Sequence, residues 1–91
     1  MAYSMYRTRD HAGDSGPMSM ALWKDAETGE IHEEHNARPR VGVVMRVGSP
    51  YARSYVSQDY WQTTYIQEIL AESSDHVRFR TGNSEYEWKE F

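Results

Sequence analysis

The stretch Val77-Arg-Phe-Arg-Thr-Gly-Asn-Ser-Glu-Tyr-Glu-Trp88 decides the fold. Val77, Phe79 and Thr81 alternate with Arg78 and Arg80, and Ser84, Tyr86 and Trp88 alternate with Glu85, Glu87 and Lys89. A period of two with one apolar side is the signature of a half-buried strand. Between the two runs, Gly82-Asn83 is a two-residue connection of the kind that closes a hairpin through a type I′ or II′ turn. The alternation places Arg78 and Arg80 across from Glu85 and Glu87 on the solvent face, a modestly stabilising charge pairing.

Upstream, Tyr60 to Glu72 carries two periodicities. Trp61, Tyr65 and Ile69 have helical spacing, with Ser57 or Asp59 available as an N-cap. The consecutive Thr63, Thr64, Tyr65 and Ile66 favour a strand. A strand bulged near Glu68 brings Ile66 and Ile69 to one face, and we prefer that reading. Further back, Val41, Val43, Met45 and Val47 fall on one face of a strand, with Gly42, Val44 and Arg46 on the other. Gly48-Ser49-Pro50 ends it, and Tyr51 to Tyr60 reads as a structured loop. Met18, Met20 and Leu22 alternate with Ser19, Ala21 and Trp23, so both faces of that strand are partly apolar. Asp25 to Gly29 supplies a turn, with Gly29 suited to positive φ, and the charged return strand Glu30 to Glu34 belongs at a sheet edge. Tyr6 to Pro17 has no period.

Short strands joined by tight turns predict a mainly β fold. We expect a small SH3-like barrel or a strongly curved antiparallel sheet. Residues 1–17 are expected to form a flexible N-terminal arm, and residues 18–91 a single β domain.

The pattern Val77-x-Phe79-x-Thr81-x-Asn83-Ser84-x-Tyr86-x-Trp88, after Ile66-x-x-Ile69-Leu70, resembles small phage-encoded β proteins of unassigned activity. The resemblance covers the last third of the chain. It implies an accessory protein acting on a host component and carries no catalytic residues over.

The chain has 91 residues, no cysteine and a formal charge of −4. The absence of cysteine excludes disulfides and thiolate metal sites. The three Trp, seven Tyr and two Phe supply the apolar area that a disordered segment lacks. Residues 1–10 contain no apolar stretch of the kind a secretory signal needs, and no apolar run approaches the ~20 residues of a membrane helix. We therefore expect a cytoplasmic protein with no membrane partner.

Catalytic patterns are weak. Gly13-Asp14-Ser15-Gly16-Pro17 resembles the loop around the nucleophilic serine of trypsin-like proteases, but it lacks one glycine, and only fourteen residues precede Ser15 to supply the histidine and aspartate that the family places upstream. His32-Glu33-Glu34-His35 is the densest group of metal-ligand types. Its histidines are three apart on an expected strand, which sends them to opposite faces. The acidic pairs Glu33/Glu34 and Glu85/Glu87 sit in the polar phase of strands, where nothing shifts a carboxyl toward acid–base work. No cofactor and no metal site is expected, and no enzymatic activity.

A charge asymmetry points elsewhere. Residues 36–58 hold Arg38, Arg40, Arg46 and Arg53 and no acid, whereas residues 25–34 hold five acids and no base. Tyr51 and Tyr55 interleave with the arginines, and Tyr60 and Trp61 follow. Arginine with exposed aromatics is the composition of protein-interface hot spots. We expect a non-enzymatic module binding a protein partner, a host protein if the phage resemblance holds, through Arg46, Tyr51, Arg53, Tyr55, Tyr60 and Trp61. The alternative is a small nucleic-acid-binding barrel using Arg38, Arg40, Arg46, Arg53 and Tyr55, where guanidinium meets phosphate and rings stack on bases. The net acidity favours the protein partner. A third reading, a metal-dependent enzyme at His32 and His35, ranks last. An ordinary loop with its aromatics in the core competes with all three, since so small a chain needs Trp61 inside.

Overall fold

The computed structural model describes residues 2–49 and 60–91, and within them every regular element is a strand. In chain order these are β1 (Tyr3–Arg7), β2 (Gly13–Gly16), β3 (Met18–Lys24), β4 (Ile31–His35), β5 (Val44–Gly48), β6 (Tyr60–Gln62), β7 (Ile66–Glu72), β8 (His76–Thr81) and β9 (Glu85–Glu90). They form two antiparallel sheets, one of five strands in the order β2-β1-β9-β8-β7 and one of four in the order β4-β3-β5-β6. The expected mainly β fold is present as curved sheets; among the described residues the strands do not close into one barrel.

Two seams join the sheets. At one, Pro17 separates β2 from β3, and the backbone of Gly16 lies so close to the Gly48 carbonyl that a Cβ would collide with it. At the other, the Ile66 amide donates to the Val43 carbonyl at 2.9 Å and the Gly42 amide to the Ile66 carbonyl at 3.0 Å. The core fills the space between. Tyr3, Met5, Ile66, Val77, Phe79 and Trp88 come from the larger sheet, and Ala21, Met45 and Val47 from the smaller. Trp88 crosses the gap: its indole N–H donates to Ser19 Oγ at 2.9 Å, and that hydroxyl donates to the Ala37 carbonyl at 2.8 Å. A buried polar chain of this kind stabilises only because each donor has an acceptor.

The C-terminal hairpin forms as β8 and β9, with Arg80 opposite Glu85 and Arg78 opposite Glu87. The ion pairs shift from that register: Arg78 reaches Glu85 at 3.7 Å, and Arg80 turns to Glu68 on β7 at 3.1 Å. Its turn departs from the expected primed type, since neither Gly82 nor Asn83 has positive φ. Thr81 Oγ1 takes over, accepting the amides of Asn83 and Ser84 at 3.3 Å each.

The hairpin of β3 and β4 follows the reading closely, with Gly29 at φ +76° and β4 at the sheet edge. The amides of Thr28 and Glu27 bind the Asp25 carboxylate and hold it below its ordinary range. Strand β5 begins later than expected. Gly42 takes φ +94°, which ends the alternation and leaves Val41 in a turn, 58% exposed. The single bulged strand expected over 60–72 is divided between the sheets. Thr63 lies at the crossing, where its Oγ1 accepts the Met45 amide at 3.1 Å and its own amide donates to the Met45 carbonyl at 2.9 Å. Strand β7 carries register shifts between Ile66 and Glu68 and between Ile69 and Ala71. Ile66 and Ile69 both pack inward as a result.

The expected flexible arm at 1–17 is corrected. Strand β1 lies between β2 and β9, with Tyr3 and Met5 fully buried. Glycines that read as linker composition instead permit close strand approach: a Cβ on Gly13 would strike the Met5 carbonyl oxygen. His11, at φ +58°, makes the turn, and the Arg7 amide donates to the Ala12 carbonyl at 2.7 Å.

Candidate functional site: an arginine held open on the outer face of the smaller sheet

Alternation along β3 and β5 turns Ala21, Met45 and Val47 toward the core, so Leu22, Val44 and Arg46 occupy the outer face. Strand β6 pairs Gln62 with Arg46 and Tyr60 with Gly48. Gly48 has no side chain, which leaves room for Arg46 to lie over the Tyr60 ring, 4.4 Å from guanidinium carbon to ring centroid. Gln62 fixes the rotation. Its Oε1 accepts from Nε of Arg46 at 3.0 Å and from Nη2 at 2.7 Å. Among the described residues no carboxylate lies within ion-pair distance of Arg46, so none of them neutralises the charge that Gln62 and Tyr60 orient.

Beside the guanidinium is a cleft of about 260 Å³ lined by Leu22, Trp23, Ile31, Val44, Gln62 and Tyr65 together with Arg46 itself. Ile31 is 62% exposed and Tyr65 50%. Exposed apolar side chains next to a desolvatable charge are what an interface core requires.

The structure distributes the predicted site residues unevenly. Arg46 and Tyr60 are brought together. Trp61 points the other way: it packs against the core, Arg7 lies 5.4 Å over its ring, and its indole nitrogen is buried without a hydrogen-bond partner. Strand β6 alternates, so only one of Tyr60 and Trp61 can face outward. Tyr51, Arg53 and Tyr55 lie outside the described residues.

Arg38 and Arg40 are not on this surface. Arg38 stacks 5.6 Å over Trp88, donates to the Ser73 and Ser74 carbonyls and pairs with Glu72 at 3.3 Å. Arg40 stacks 4.9 Å over Trp23 and pairs with Glu34 at 2.6 Å. Of the nucleic-acid candidates, the described Arg38, Arg40 and Arg46 therefore do not form one phosphate-facing array.

The other candidates take structural positions. His32 stacks on Trp23 at 5.6 Å and meets Asp25 at 3.5 Å, whereas His35, in register with Met20 on the opposite face, meets Glu33 at 3.8 Å. No group of three metal-ligating side chains gathers among the described residues. Ser15 lies on β2 opposite Ser4, on an edge strand.

Gln62, Leu22, Ile31, Val44 and Tyr65 escaped the sequence reading as site residues. The signal was present in β3 and β5, both of which carry apolar residues on two faces, and a sheet with one core needs only one. No described helix is long and apolar enough to cross a membrane. No family model, curated protein or solved structure matches the chain.

Proposed function

We propose that this protein is a non-enzymatic module that binds a protein partner through the outer face of the β4-β3-β5-β6 sheet. The observation that carries the reading is Arg46: it rests on an aromatic ring and is braced by a neutral amide, with no described acid to satisfy its charge, beside a shallow apolar cleft. A preorganised guanidinium spends little conformational entropy on binding, which is why arginine and tyrosine recur at interface hot spots. The resemblance of the C-terminal third to small phage-encoded proteins adds that the partner is a host protein in the cytoplasm, where the module acts as an inhibitor or adaptor.

Nucleic acid is the weaker reading, because Arg38 and Arg40 already serve internal acids and carbonyls.

A photo-crosslinking residue placed at Val44, and separately at Glu87 on the other sheet, tests the proposal in cells. One protein adduct is expected from position 44 and none from position 87, with the adduct lost on adding Arg46→Glu. Nucleic-acid adducts, or equal labelling from both positions, would overturn it.

A further inference from the structure

We infer that the partner presents an extended segment in which a carboxylate is followed or preceded, one residue removed, by an aliphatic side chain. This rests on the protein-binding reading of the same face and names what that face reads. Gln62 occupies the Nε–Nη2 edge of Arg46. Among the described residues nothing takes the Nη1–Nη2 edge, whose two parallel N–H groups match the two oxygens of a carboxylate. Charge complementarity thus selects an acid at this point.

The apolar requirement follows from the strand. Val44 and Arg46 are two residues apart on β5 and share its outer face, so they are separated by about 6.6–6.8 Å along the strand. Leu22 lies directly across from Val44 and widens the apolar end of the cleft. An extended ligand has the same two-residue repeat: a carboxylate over Arg46 puts the side chain at i ± 2, on its protein-facing side, over Val44 and Leu22. The cleft's 260 Å³ falls below the 300–1,000 Å³ usual for cofactor and drug-sized ligands. It has room for one anchoring side chain.

The test uses the full chain and three synthetic peptides of identical composition, with glutamate and leucine adjacent, separated by one threonine, or separated by two. Amide chemical shifts of the protein are followed to millimolar peptide. The one-spacer peptide is expected to bind at least about fivefold tighter than its isomers, with shifts confined to Leu22, Val44, Arg46 and Gln62. Arg46→Gln should weaken it about tenfold or more, the loss of one charge-assisted pair, and Arg46→Lys, which keeps the charge but not the fork, should lose much of that affinity. Its spectrum elsewhere, unchanged, verifies the fold. Equal affinities for the three peptides, or no shifts on this face, would overturn the inference. So would tighter binding of a short oligonucleotide at the same residues. Self-association with paired shifts at Arg46 and at Glu68 to Leu70 would also overturn it, by making a second copy the occupant. If peptides fail while the adduct from position 44 persists, the binding module stands and only the segment rule falls; if both fail, the module falls too.

Discussion

Four of the described arginines lie over aromatic rings, and the contrast between three of them and the fourth carries the proposed binding surface. Arg7, Arg38 and Arg40 cover Trp61, Trp88 and Trp23, the chain's three tryptophans, and each also binds an acid: Asp10 at 2.6 Å, Glu72 at 3.3 Å and Glu34 at 2.6 Å. Among the described residues, Arg46 covers Tyr60 and binds the neutral Gln62 and no acid. The first three close the rims of a thin core, where a long side chain shields a ring from water and returns its own charge to the protein. The fourth has the same stacking without the neutralisation. Arginine and aromatic composition alone marks neither role; the missing acid distinguishes them.

The largest effect should come from what the closed arginines protect. Trp88 is fully buried, stacks near Tyr3 at 5.8 Å between centroids and holds Ser19 across the sheets. Trp88→Ala should cost about 3–5 kcal/mol, a large fraction of the stability of so small a domain. Trp88→Phe keeps much of the volume but leaves Ser19 without its indole donor, and should cost less. Denaturant unfolding of the two variants separates volume from hydrogen bond. A Trp88→Ala loss below about 1 kcal/mol would mean that the rim arginines cover nothing important.

How much of this was legible depends on whether a role is local. The C-terminal hairpin, the Gly29 turn, the charged edge strand and the bulge around Glu68 each follow from residues within a few positions of one another. Strand β1 was missed because its apolar run is only Tyr3 and Met5, next to a glycine-rich stretch that composition assigns to a linker. The collision that requires Gly13 to be glycine exists only once β1 and β2 are side by side. The site divides the same way. Arg46 and Tyr60 were legible from chemistry, but choosing Arg46 over Arg38 and Arg40 needs partners from other strands, such as Glu72 at a separation of 34 residues. Trp61 faces the core side and Tyr60 the outer face, because adjacent aromatics on a strand cannot share a face.

Substituting the arginines themselves tests the contrast directly. Arg38→Ala removes hydrogen bonds to two carbonyls, an ion pair and the cover over Trp88, and should cost about 1–3 kcal/mol. Arg46→Ala removes no bond that a folded neighbour cannot replace with water, and should fall within about 0.5 kcal/mol of the parent. Thermal melts at one pH compare the two. Equal losses would erase the distinction between closed and open arginines; a stability-neutral Arg46→Ala that abolishes partner binding would sharpen it.

The smallest effect is expected at the Arg7–Asp10 pair, and it should appear as a pH dependence. The Arg7 side chain, with the Ala12 amide, holds the Asp10 carboxyl at about 2, below its ordinary value. The folded state therefore takes up this proton less readily than the unfolded chain. Its contribution is fully present above the unfolded value near 3.8 and is lost as pH falls through about 2. Asp10→Asn lacks that titration. The midpoint difference between parent and variant should be small and constant from pH 7 to about pH 5, then shrink toward zero near pH 2, with the effects of other carboxylates cancelling in the difference. A difference that does not change over this range would show that the stability of this turn rests on Arg7 lying over Trp61 and not on its acid.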